Sequence, residues 1–149
     1  MKDIAQQIRT VVGEATDALF SMGLNEVSLK PGPDKWSKKE ILGHLIDSAA
    51  NNHQRFVRGA ADKAEDFPAY SQDEWVRIQQ YNLSDWPSLV RFWCAYNLHL
   101  CDLIERLPEE ALSCFCNIGG EEPMSLAFVI KDYLRHLKHH INTLLERAD

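Results

Sequence analysis

The chain lacks any apolar run approaching the ~20 residues that a membrane-crossing helix needs, so no membrane span is expected. It lacks a basic cluster as well. Sixteen Lys and Arg stand against 22 Asp and Glu in 149 residues, a formal net charge of −6, and the positive residues are scattered among acidic ones. Nucleic acid and anionic membranes want the opposite balance, and neither is an expected partner. The first residues, Met1-Lys2-Asp3-Ile4-Ala5-Gln6-Gln7, are polar and carry no signal-peptide core, which makes a cytoplasmic location the expectation. A Gly-rich phosphate loop, a Ser-His-Asp order and a paired-carboxylate motif are all missing, so the chemistry must be sought elsewhere. Cysteine is sparse: Cys94, Cys101, Cys114 and Cys116. In a reducing compartment these should be free thiols. Cys94 and Cys101 have helical spacing and read as two small buried hydrophobes. Cys114-Phe115-Cys116 places one residue between the thiols, where structural zinc loops have roughly two to four.

What remains is helical. Residues 3–22 carry Ile4, Ile8, Val11, Val12, Ala15 and Leu19 at the spacing of one buried face, and Gly23 is a stop signal. Pro31-Gly32-Pro33-Asp34 excludes helix and inner strand from the connection that follows. Ser37-Lys38-Lys39-Glu40 is a capping box, with Trp36 placed to staple onto Ile41. It opens a second helix that runs to about Arg58, with Gly59 as its stop and Leu42, Leu45, Ala49 and Phe56 on its apolar face. Residues 60–70 read as a loop. Ser71-Gln72-Asp73-Glu74 is a second capping box, for a short helix over 72–81. Ser84, Asp85 and Pro87 begin a third long helix, whose seam is Leu89, Trp93, Tyr96, Leu100, Leu103 and Leu107. Residues 109–123 read as a loop, and the last helix spans Met124 to Glu146. No strand pattern or internal repeat is visible. The expectation is one all-α domain over residues 1–149, a four-helix bundle with a short extra helix in a crossover long enough for its two flanking helices to run parallel.

Three of the six histidines fall between positions 136 and 140. At ~100° per residue, His140 lies about 60° from Leu137 at the border of the apolar arc. His136 lies one step further round, and His139 faces the polar side. His136 and His140 can therefore share a pocket, as two metal ligands at i and i+4 do. His44, in the second helix, borders that helix's apolar face beside Gly43, which leaves room for a neighbouring backbone or ligand. His53 points about 180° away from it, and His99 falls off the third helix's seam and is expected to be exposed. His44 is the best third partner on geometry, which alone does not secure the choice.

Trp36-Ser37-Lys38-Lys39-Glu40-Ile41-Leu42-Gly43-His44-Leu45, followed late in the chain by His136-Leu137-Lys138-His139-His140, resembles the two characteristic motifs of the DinB/YfiT-like superfamily of four-helix-bundle metalloproteins. The resemblance implies an up-down-down-up bundle, frequent homodimers, and one metal held by three histidines, carried over here to His44, His136 and His140. Three neutral imidazoles leave coordination open for water or substrate. Zinc or nickel is favoured, with iron and manganese also compatible with imidazole. The resemblance implies either a metal-dependent hydrolase or a transferase using a low-molecular-weight thiol, acting on a small-molecule substrate. The alternatives are a non-catalytic bundle binding metal or a small ligand, in a stress response, and a scaffold with structural histidines. No general base is assigned. Ser48 and Asn51 share His44's side of the helix, Asp47 lies about 60° off it, and Asp132, one turn before His136, is placed to orient an imidazole. Trp93, Tyr96 and Asn97 are candidates for a far wall, with core packing favoured for the first two.

Overall fold

The computed structural model describes residues 1–61, 64–120 and 122–146. Its long helices are α1 (Lys2–Ser21), α3 (Lys38–Ala61), α5 (Trp86–Arg106) and α6 (Leu126–Leu145), with short helices α2 (Leu24–Ser28) and α4 (Gln72–Gln79) between them. Each of the two sequence-predicted boxes acts as a cap. The Ser37 amide donates to Glu40 at 2.8 Å and the Glu40 amide to Ser37 Oγ at 3.2 Å, while the Glu74 amide donates to Ser71 Oγ. Asp85 and Ser125 cap α5 and α6 in the same way, through the amides of Ser88 and Phe128.

The long helices form a ring in which α1 and α3 each pack against both α5 and α6. Cross-helix contacts fix their directions. Arg9, early in α1, pairs with Asp102, late in α5, and Trp86 Nε1 at the start of α5 donates to the Leu19 carbonyl near the end of α1. These two helices are antiparallel. Lys39 reaches the Asn82 carbonyl and His53 meets Tyr96, so α3 and α5 run the same way. His44 faces His140 and Phe56 faces Tyr133, so α3 and α6 are antiparallel. The result is the up-down-down-up bundle. Ala5, Ile8, Val12, Ala15 and Leu19 of α1, Leu42, Leu45, Ala49 and Phe56 of α3, Trp93 and Leu100 of α5, and Ile130, Leu137 and Leu144 of α6 fill its centre. Among the described residues no helix is long and apolar enough to cross a membrane, and all four cysteines are free.

The connections differ from expectation. Residues 24–28 form α2, a single turn capped by nothing that a sequence pattern flags. The segments read as loops contain β1 (Ala64–Phe67) and β2 (Phe115–Ile118), which pair in parallel, and β2 pairs antiparallel with β3 (Met124–Ser125), two residues expected to open the last helix, which begins at Leu126 instead. Strands of two to four residues are too short to show alternation, and their pairing is long-range. Gly59 does not end α3, which continues to Ala61. A Cβ at Gly59 would lie 2.8 Å from Cys116 Sγ, so the glycine lets β2 close onto the helix. The α5 stripe is also wider than a single heptad seam. Val90, Asn97, Cys101 and Ile104 are buried with Leu89, Trp93 and Leu100, while Tyr96, Leu103 and Leu107 lie at its edge. The helix contacts two neighbours, and two neighbours need a broader apolar face.

Candidate metal centre

The capping box sets where α3 begins, and His44 follows nearly two turns inside that start. Its ring is 1% exposed. The Trp36 ring packs against it at 5.0 Å between centroids, rather than serving only as a staple. Antiparallel α6 brings His136 and His140 to the same level. The three ring centroids lie 5.1 Å (His44–His136), 4.8 Å (His44–His140) and 4.4 Å (His136–His140) apart. The Nε2 atoms of His44 and His136 are 3.1 Å apart, and one ring nitrogen from each of the three residues falls within 4.8 Å of the others.

This donor set fits a metal. Tetrahedral bonds of ~2.0–2.1 Å to imidazole nitrogen put ligand atoms about 3.3 Å apart, close to the 3.1 Å between His44 and His136, and a pair at the 4.8 Å limit has on the order of 1 Å to close by rotation of the side chains. The rings are also in the right protonation state. Burial, helped by the neighbouring imidazoles, lowers the His44 pKa to about 3 and that of His140 to about 4. Burial lowers that of His136 too, with the Asp132 carboxylate acting in the opposite direction. All three are neutral at pH 7, with lone pairs available.

Neutrality has a measurable consequence in metal-free protein. The unfolded histidines take up protons below ~6.5, while the folded rings refuse them until about pH 3–4. The unfolded state binds more protons throughout that window, so this contribution to stability falls as pH drops from about 6.5 to about 3. The urea midpoint of chelated protein should decline steeply from pH 7 to pH 4.5. It should decline less in His44→Gln, which lacks one of the three bases.

The surrounding polar groups sort themselves clearly. Ser48 Oγ sits 3.4 Å from His136 Nδ1, where it can hold the ring's orientation. Asn51 instead donates to the Asp47 carbonyl of its own helix. Asp132 faces Arg135, with its Oδ1 2.9 Å from Nε and 2.5 Å from an Nη, so it acts on His136 through its charge. Asp47 is 3% exposed. Its Oδ1 accepts from Tyr81 at 2.5 Å and from Gln79, while Oδ2 has no partner. Burial raises its pKa against those hydrogen bonds. Asn97 is buried in the core, where it accepts from the Tyr133 hydroxyl at 2.6 Å, and Trp93 is fully buried. Neither lines a hollow beside the histidines. His139 is exposed, as its place on the wheel predicts. His53, His99 and Tyr96 gather separately on the α3–α5 side.

Two hollows flank the histidines. One of about 200 Å³ lies on the His136 side, lined by Ser48, Asn52, Arg55, Tyr70 and Asp132. Another, of about 340 Å³, lies on the His140 side against Trp36, Gln72, Asp73 and Thr143. Arg55 and Tyr70 were not among the residues singled out from the sequence. For Arg55 a signal existed, since it stands eleven residues after His44 on the same helical stripe.

A family model described as the DinB superfamily matches residues 7–144. A protein of Oceanobacillus iheyensis named "putative metal-dependent hydrolase" is 27% identical over 138 residues, covering 91% of this chain and 78% of its own. One of the same name from Bacillus cereus is 23% identical over 135 residues, with the same coverage. Among solved structures, YfiT from Bacillus subtilis superposes with a TM-score of 0.84 at 19% identity, covering 97% of this chain and 84% of its own. It is described as a probable metal-dependent hydrolase with an unusual four-helix bundle topology.

Proposed function

This chain belongs to the DinB superfamily, and from that membership we propose that it is a metal-dependent hydrolase of a small molecule, with one divalent cation held by His44, His136 and His140. The observation that carries the proposal is the convergence of three neutral imidazoles from two helices, one buried and two half-buried, with ring nitrogens inside 4.8 Å. The names of its relatives support the reaction class. Zinc and nickel suit the all-imidazole set best.

A cation bound there would supply a Lewis acid and bring the pKa of a coordinated water toward ~7. The chain's own residues do the rest. Trp36 covers His44 and keeps its ring dry. Ser48 fixes the His136 ring, and the Asp132 charge makes that imidazole a better donor. The flanking hollows give substrate access from the His136 and His140 sides. Homodimerisation belongs to the same proposal, and α5 offers a face for it: Phe92 is 55% exposed and stacks on Tyr96.

The test is direct. Untagged protein should retain about one zinc or nickel per chain, and the loaded form should hydrolyse members of an ester and amide panel at a rate that a chelator abolishes. Turnover that appears only with an added thiol would replace hydrolysis by thiol transfer at the same centre. Stoichiometric metal with no turnover in either screen would make the chain a binding module.

A further inference from the structure

We propose that Arg55 is the anchor for a carboxylate on the substrate, seated in the hollow that adjoins His136. The inference rests on reading the three histidines as the reaction centre, and it specifies what kind of molecule reaches them.

His44, Ser48, Asn52 and Arg55 occur at i, i+4, i+8 and i+11 on α3, within an arc of about 80°. One stripe of the helix thus runs from the histidine cluster to the guanidinium. The hollow of about 200 Å³ is lined along this stripe by Ser48, Asn52 and Arg55, with His136 and Tyr70 beside them. From Ser48 to Arg55 is seven residues, on the order of 10 Å along the helix. A molecule of roughly four to six heavy atoms in a chain, about 4–6 Å long, bridges that distance once a polar contact of about 2–3 Å is added at each end.

Arg55 is half-buried, and burial pulls its pKa below the ordinary guanidinium value. Arg9, Arg77 and Arg135 each lie 2.7 Å or less from a carboxylate. Among the described residues no carboxylate stands at ion-pair distance from Arg55. Its one hydrogen bond is a long contact of 3.4 Å to Asn52 Oδ1. Asp132 shares the hollow but is turned toward Arg135. A partly desolvated cation without a counterion is costly, and its planar fork of donors matches a carboxylate in two parallel hydrogen bonds. Tyr70 supplies another donor. Its phenol is held protonated by burial and by the nearby Asp47 charge.

The charge count selects among anions. In the chelated protein Arg55 brings one uncompensated positive charge and Asp132 stands nearby, so at that end of the site a monoanion is matched and a phosphate dianion is left in excess. The small volume excludes a polymer. The substrate class that follows is a short carboxylic acid whose scissile group lies a few atoms from its carboxylate.

Calorimetric titration of the full chain with pentanoate, pentanamide and inorganic phosphate tests this, on chelated and on zinc-loaded protein. Chelated protein should bind pentanoate at least about tenfold more tightly than the uncharged amide, because only the acid makes charge-assisted bonds. Arg55→Gln should lose that preference, and Arg55→Lys should keep part of it. The zinc stoichiometry of the variants should match that of the parent. Failure of pentanoate to bind, equal binding of acid and amide, a preference for phosphate, or a preference that survives in Arg55→Gln would each overturn the anchor. If the glutamine variant does not fold, the acid-to-amide comparison on the parent and on Arg55→Lys still decides. Because the chelated protein is titrated, a chain that binds pentanoate but no zinc would overturn the metal reading and leave the anchor standing.

Discussion

Replacing His44 by alanine should reduce bound metal from about one ion per chain to none detectable at micromolar protein, a loss of affinity well beyond the ~10–100-fold typical of removing a group that merely supports a ligand. His44 is the one ring of the three that comes from α3, and it lies fully inside the protein. Without it the remaining pair, His136 and His140, sits on a single helix as an i, i+4 couple. The fold should tolerate the change. Alanine leaves a hollow beside Trp36, but it also removes a base that resists protonation down to about pH 3. Elemental analysis and competition against a chromogenic chelator measure the effect. His139→Ala is the matched control: its ring lies 5.1 Å from that of His140 but outside the convergent cluster, so stoichiometry and affinity should not change. Ser48→Ala should fall between them, about tenfold weaker, since it frees the His136 ring without removing a donor. Full metal content in His44→Ala would show that the cluster is not the binding site.

How much of this was legible in the sequence depends on range. The capping box at Ser37–Glu40, the i, i+4 pair at His136 and His140, and the polar placement of His139 are local, and helical periodicity alone puts them where the structure does. The meeting of His44 with His136 spans 92 positions, and no periodicity can encode it. There the family resemblance, through its motif at Trp36–Leu45, supplied what the wheels left open. The sheet escaped because β1 and β2 are four-residue strands that find each other across some fifty positions. Tyr70 escaped for the same reason, since only the closed bundle carries it over Ser48. Asn97 illustrates the converse. A polar residue next to a seam reads as a pocket lining until Tyr133, on another helix, is seen to satisfy it. Gly59 and Gly43 show that one residue type can carry two messages. The first was read as a stop and is a contact with Cys116. The second was read as room for a neighbour, and that neighbour is Tyr81.

Gly43→Ala should therefore destabilise the protein, although an exposed helix interior normally gains ~1 kcal/mol from that change. A Cβ on Gly43 would overlap the Tyr81 ring, which is itself only 7% exposed and wedged against α3. The ring must move or the helix must shift, and forced overpacking of this kind costs about 1–3 kcal/mol. Gly13 provides the comparison within the same molecule. It is a helical glycine in α1 with nothing within 4 Å of its Cβ position, so Gly13→Ala should gain up to ~1 kcal/mol. The two substitutions should move the urea midpoint in opposite directions. A double-mutant cycle identifies the cause: in a Tyr81→Ala background the cost of Gly43→Ala should largely vanish, because neighbouring sites in contact do not add. The effect should also reach the metal centre. Tyr81 holds Asp47 through a 2.5 Å hydrogen bond, and Asp47 lies one turn from His44 on α3. Displacing the ring strips a partner from a carboxylate that already has one unsatisfied oxygen, so zinc affinity should fall together with stability. A Gly43→Ala protein as stable as the parent would mean that Tyr81 does not occupy that space in solution.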